Sequence, residues 1–205
     1  MSTDGDQAIP GSGDVPDELA RVLLERYREP HRRYHDDRHL ASVLAAIELL
    51  VDAADDPAAV RLAAWFHDAV YEPGRTDNEE TSALLAEGLL ERFDVPAPRI
   101  AEVARLVRLT VDHDPSDDDH DGSVLCDADL SVLGGDADGY SDYAAGIRTE
   151  YAFIDDATFA RERTVILQGL LSRPRIFRTQ TANDLWESRA RRNLQLELAL
   201  LASQN

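Results

Sequence analysis

Among 205 residues there is one cysteine, one methionine and no lysine, so all 21 basic side chains are arginine. A lone Cys126 excludes an internal disulfide and a thiolate-rich metal site. Any bound metal must therefore be held by His and carboxylates, which suit hard or borderline divalent ions. No apolar run approaches the ~20 residues of a membrane span. The N-terminus also lacks the basic start and apolar centre of a secretory signal, so a cytoplasmic protein with no membrane partner is expected. Aromatic residues make up only 6%, which leaves Leu and Ala to fill much of the interior. Positive charge is scarce as well: 21 basic against 40 acidic residues give a net charge of −19. That balance argues against a nucleic-acid polymer or an anionic membrane as partner, since both are bound through basic surfaces. A small phosphorylated substrate stays open, because a metal ion and a few Arg reverse the field locally.

The chain does contain 43% hydrophobic residues, enough for one domain with a sizeable core. Residues 1–15, rich in Gly, Ser, Asp and Pro, read as a disordered tail, and residues 16–205 as the folded domain. Apolar residues recur at three-and-four spacing in several segments. Pro16 and Asp17 open the first, with Leu19, Val22 and Leu23 on one face. The next runs from His35 to about Ala53, then from Pro57 to Ala69, where Val60, Leu62, Trp65 and Phe66 lead into the core. After the breaker run Glu72-Pro73-Gly74-Arg75, a helix capped by Thr76 or Asp77 is expected to bury Ala83, Leu84, Leu85, Leu89 and Leu90. Ile100–Thr110 follows, then an Asp-rich run from Asp112 to Asp121 that reads as a solvated loop. Further helices are expected over Val124–Leu133, Tyr140–Tyr151, Asp155–Leu171 and Asn183–Ala202. No strand-like alternation of useful length occurs, so the expected fold is an all-α, single-domain helical bundle.

Three polar groups interrupt this pattern where an unpartnered side chain would be costly. His67-Asp68 ends the apolar segment at Trp65-Phe66. On a helix these neighbours point roughly 100° apart, so they share an ion only over the flank between them, with other ligands arriving from elsewhere. Upstream, His35 and His39 are four apart and share one face of a helix. Downstream, Asp127 and Asp129 sit in an apolar run.

The motifs Tyr34-His35-x-x-x-His39, Trp65-Phe66-His67-Asp68-x-Val70-Tyr71, Asp77-Asn78-Glu79-Glu80 and Asp127-Ala128-Asp129-Leu130 occur in this order. Together they resemble a small bacterial branch of the HD-domain superfamily of metal-dependent phosphohydrolases, over about residues 29–198. The resemblance implies an HD-type helical fold. It also implies metal ligands at His35, His67, Asp68 and one late aspartate, Asp129 or Asp127, with Asp129 favoured. His39 and His113 would either bind a second metal or contact a phosphate. Arg32, one turn before His35, matches the family's pattern as a phosphate contact. Glu79 would act either as a proton donor to the leaving group or as a partner to a ligating His. Asp68 would orient the attacking water.

The expected function is hydrolysis of a phosphomonoester or nucleotide with a divalent ion, whether Mn, Mg, Fe, Co, Ni or Zn, in a monomer or homodimer. Two alternatives stand beside it. One is a di-iron oxygenase, which needs both His39 and His113 as ligands, and the other is a nucleotide-binding sensor without turnover. His120 reads as solvated.

Overall fold

A computed structural model of the chain describes residues 15–203, so the expected N-terminal tail falls outside it except for Val15, which is buried. Among the described residues there is no strand, and the all-α expectation holds. Helix α1 (Asp17–Tyr27) starts after Pro16 and buries Leu19, Leu23 and Tyr27, spaced four apart. Helix α2 (Asp37–Leu50) buries Leu40, Val43, Leu44, Ile47 and Leu50, then tightens into a 3-10 turn at Val51–Ala53.

Helix α2 begins two residues later than expected. Asp36 is its N-cap, and the carboxylate accepts from the backbone N–H groups of Arg38 and His39. His35 is thereby left outside the helix while His39 enters its first turn, so the two imidazoles do not share a helical face.

Helix α3 (Pro57–Phe66) also stops earlier than expected, because His67 is its C-cap. Its free carbonyls find side-chain donors in place of a further turn. His67 Nδ1 donates to Ala64 O at 2.7 Å, and Tyr27 Oη reaches Trp65 O at 3.3 Å.

Helices α4 (Asn78–Arg92) and α5 (Ala97–Leu109) pack closely together and onto α3. Small side chains make that approach close: Ser82, Ala83 and Ala86 face inward, whereas Leu84, expected in the core, is exposed. Asp77 occupies the N-cap position of α4 without capping, since its carboxylate is paired with Arg75 at 2.8 Å.

Helix α6 (His120–Asp129) is buried from Asp121 to Ala128, with α2, α3 and α5 around it. It starts before Val124 because Asp119 caps Gly122 N–H and Asp121 accepts from the backbone of Asp55 and Asp56. Part of the Asp-rich run is therefore a capping device and not a solvated loop. After a 3-10 turn at Leu130–Gly134 come α7 (Ala137–Glu150) and α8 (Asp156–Ser172). The last described residues form α9 (Gln180–Ala182), a π-helical turn at Asn183–Glu187, and α10 (Ser188–Ser203). Leu185, Leu196 and Leu200 of this last stretch are exposed. One connected apolar cluster takes side chains from α1 through α10. Among the described residues no helix is long and apolar enough to cross a membrane.

Candidate metal centre

The C-terminal ends of α3 and α6 meet the first turn of α2, and four polar side chains converge there. His39 Nε2 and His67 Nε2 lie 3.1 Å apart. Asp129 Oδ1 is 3.1 Å from His39 Nε2 and 3.6 Å from His67 Nε2. Asp68 Oδ2 is 3.1 Å from His67 Nε2 and 3.4 Å from His39 Nε2. Two imidazole nitrogens this close share either a proton, as an N–H···N hydrogen bond, or a metal ion.

Nitrogen and oxygen ligands sit ~2.0–2.2 Å from a zinc-like ion, which puts neighbouring donors about 3.0 Å apart in an octahedral site and about 3.4 Å apart in a tetrahedral one. Four of the five spacings fall in that range, and the fifth, His67 Nε2 to Asp129 Oδ1 at 3.6 Å, is slightly wider. His39, His67 and Asp129 form a group that could hold a metal ion, and Asp68 Oδ2 lies beside the two imidazoles. The C-terminal, partly negative ends of α3 and α6 also favour a cation at this point.

Electrostatics state the same demand. Burial alone would raise the Asp68 and Asp129 carboxyls, but the neighbouring His67 charge and hydrogen bonds from the imidazoles outweigh it and hold both well below the usual range. Conversely, burial would lower His67, and the charges of Asp68 and Asp129, with the hydrogen bond to Asp129, carry it well above its ordinary value. Two carboxylates and two imidazoles thus draw positive charge, which a divalent ion supplies as well as protons do. The hydrogen bond from His67 Nδ1 to Ala64 O fixes the tautomer that leaves the Nε2 lone pair free to ligate.

Asp129 turns its other oxygen, Oδ2, to His113 Nε2 at 2.7 Å. His113 reaches it from a left-handed backbone conformation, φ 50°, unusual for a residue with a Cβ. Arg173 braces that turn by donating to His113 O at 2.8 Å and Asp112 O at 2.7 Å.

His35 is not part of the four-residue group. Its Nδ1 is 2.7 Å from Glu150 Oε2, and its ring stacks on Tyr71 at 4.1 Å between centroids. Glu150 is fully buried and heavily bonded. Its Oε1 accepts the backbone N–H groups of Arg33, Tyr34 and His35, and its Oε2 also accepts from Tyr71 Oη at 2.9 Å. Where the sequence pattern suggests His35 as first ligand, the structure brings His39, because the Asp36 cap turns His35 toward Glu150.

Asp127 and Asp129 separate cleanly. Asp127 accepts from the backbone of Arg178 and Thr179 at 2.8 and 2.7 Å, tying the start of α9 to α6, and burial pushes its carboxyl up to about 6. Arg32 does not face the cleft. Its side chain is fully buried, and Nη1 donates at 2.8 Å to both His35 O and Asp68 O. The expected phosphate contact is therefore corrected to a brace beneath the His-Asp turn, because both of those donors are taken. His120 is exposed beside Asp55.

The Asp77-to-Glu80 motif divides its residues by helical phase. Asn78 is buried and pins Glu72 through two 3.1 Å bonds, Glu80 pairs with Arg108, and Glu79 faces a cleft. That cleft, of ≈ 460 Å³, is lined by His35, Asp68, Glu79, His113 and Asp129, while His39 and His67 lie behind. A larger cleft of ≈ 680 Å³ reaches His39 and Asp129 from the side of Arg33 and Arg38 but includes neither Asp68 nor His113. The smaller one gathers more chemistry. Glu150 escaped notice in the sequence because an acidic residue at the end of an amphipathic helix looks solvated. Its only signal is its place three residues after the apolar Ile147.

The fold and site together define an all-α protein with a His/Asp group able to hold a metal ion. Comparison of the chain with protein-family models, with curated proteins and with solved structures returns no match.

Proposed function

We propose that the chain is a metal-dependent phosphohydrolase of the HD-domain kind, acting on a phosphomonoester or nucleotide. One observation carries the reading: His39, His67 and Asp129 converge within metal-ligand spacing with Asp68 beside the two imidazoles, and the two carboxylates open on a cleft that also holds His35 and Glu79. A divalent ion bound there supplies Lewis acidity and lowers the pKa of water. Its identity is a transition ion on chemical grounds, since two imidazoles and two carboxylates form a borderline donor set.

The chain's own residues divide the remaining work. Asp68 accepts a hydrogen bond from the attacking water and aims it. His35, oriented by Glu150, and the unpaired Glu79 stand where the phosphate and its leaving group enter. Arg32 holds the carbonyls of His35 and Asp68 and so fixes the angle between the two halves of the site.

Metal analysis with phosphate-release assays tests this. One ion per chain is expected in the parent protein and in His35→Ala, but not in His39→Ala, with phosphate released by the parent only. Retention of metal by His39→Ala refutes the ligand set. Two irons per chain without phosphate release favours dioxygen chemistry, for which His39 and the Asp129-bonded His113 would both have to coordinate.

A further inference from the structure

Much of the cleft's lining has nothing to do with the metal group. On the side built by α7 and α8 the wall includes Tyr143, Ile147, Tyr151, Phe159 and Ile166, interrupted by Glu162 and Arg163. The rings are held in place: Arg148 covers Phe159 at 4.8 Å from the centroid, and Tyr151 packs 6.4 Å from Phe159. Ile166 is more than half exposed at this wall, an apolar side chain facing water.

The charges in the cleft limit how much anion it accepts. Both arginines that line it are engaged, Arg75 with Asp77 at 2.8 Å and the buried Arg163 with Glu197 at 2.8 Å. Asp68, Asp129, Glu79 and Glu162 contribute negative charge, and the whole chain carries −19. A divalent ion offsets about one phosphate group, and each further phosphate meets repulsion.

From this wall and this charge balance we infer that the substrate carries a single phosphate on an aromatic organic group, and that di- and triphosphates are disfavoured. The inference rests on the phosphohydrolase reading. In the reaction, water forms the new P–O bond and the ester P–O bond breaks, its electron pair staying on the organic oxygen. That oxygen is protonated, giving inorganic phosphate and a free hydroxyl compound.

Binding of non-hydrolysable phosphonates to the manganese-loaded full chain tests the inference without needing turnover. Calorimetry should find phenylphosphonate about tenfold tighter than methylphosphonate, the gain expected from burying part of one ring. Phe159→Ala should abolish that difference. Ile166→Ser, a neutral change at an exposed position where folding is not at risk, should reduce it while leaving methylphosphonate unchanged. Equal affinities, or a preference that survives both variants, overturn the inference. A nucleoside triphosphate hydrolysed faster than its monophosphate overturns it too. The same assays with a nucleoside monophosphate and an aryl phosphate tell whether the ring is a nucleobase or a simple arene. Aromatic preference in binding with no phosphate release from any ester would sink the hydrolase reading and leave the aromatic monophosphate a ligand and not a substrate, whereas phosphate release without aromatic preference would sink the inference alone.

Discussion

Replacing Glu150 with Gln removes one charge from the most heavily bonded carboxylate of the site, and its cost follows from the structure. Burial would raise this carboxyl, yet the hydrogen bond and charge of His35 and the N–H groups of residues 33–35 hold it at about 2 against an ordinary 4.5. At ~1.36 kcal/mol per unit, the gap of about 2.5 units corresponds to about 3 kcal/mol of folding stability. Because the folded-state value is depressed, this stability is fully present above pH ~4.5 and is lost as pH falls through ~2. The parent minus Glu150→Gln difference should therefore be about 3 kcal/mol at pH 7 and about half of that at pH 3. Urea unfolding followed by tryptophan fluorescence at several pH values measures it, with equal slopes licensing the comparison. Asp68 and Asp129 also titrate in acid, but they are common to both proteins and cancel in the difference. A gap that stays flat between pH 7 and pH 3, or widens as pH falls, refutes the account of Glu150 as an ionised anchor.

Other perturbations separate the roles of neighbouring residues. Asp127→Asn leaves one of the Arg178 and Thr179 N–H groups without an acceptor and should cost about 1–3 kcal/mol while keeping the metal. Asp129→Asn should lose the metal and, with chelator present, should also lower the melting temperature, because His39, His67 and His113 lose their carboxylate partner. Arg32→Met strands the buried carbonyls of His35 and Asp68, so a loss of about 2–4 kcal/mol and weaker metal binding are expected; unchanged metal affinity by competition with a chelator would contradict its role as brace. Gly134→Ala places a Cβ 2.4 Å from Trp186 Cβ and 2.8 Å from its Cα, so a loss of about 1–3 kcal/mol should appear in thermal melts, with the metal site intact.

Much of this protein was legible in local pattern. Leu40, Val43, Leu44 and Ile47 recur at the helical period, and the same spacing in the other segments forecast an all-α chain, because amphipathic periodicity is a property of contiguous residues. His67-Asp68 and Asp129 stood out for an equally local reason, as charged or titratable groups in apolar surroundings. Helix ends were less legible. His35 and His39 are interchangeable by spacing, and what distinguishes them is whether Asp36 caps the helix, which leaves His35 outside it. Burial decided against Arg32 as a phosphate contact: its sequence neighbourhood suits an anion, but its guanidinium lies under the turn at Asp68. Leu84 and Leu90 look alike in the sequence, and only the close approach of α5 selects which is covered. Glu150 is the extreme case, since it binds His35 across 115 residues. By itself the sequence determined helices, the positions of awkward polar residues and the sign of the surface charge, all of which depend on neighbours along the chain. Which imidazole meets which carboxylate was decided only by the tertiary structure, because a ligand group is a meeting of segment ends, and helix caps and packing distances set where those ends point.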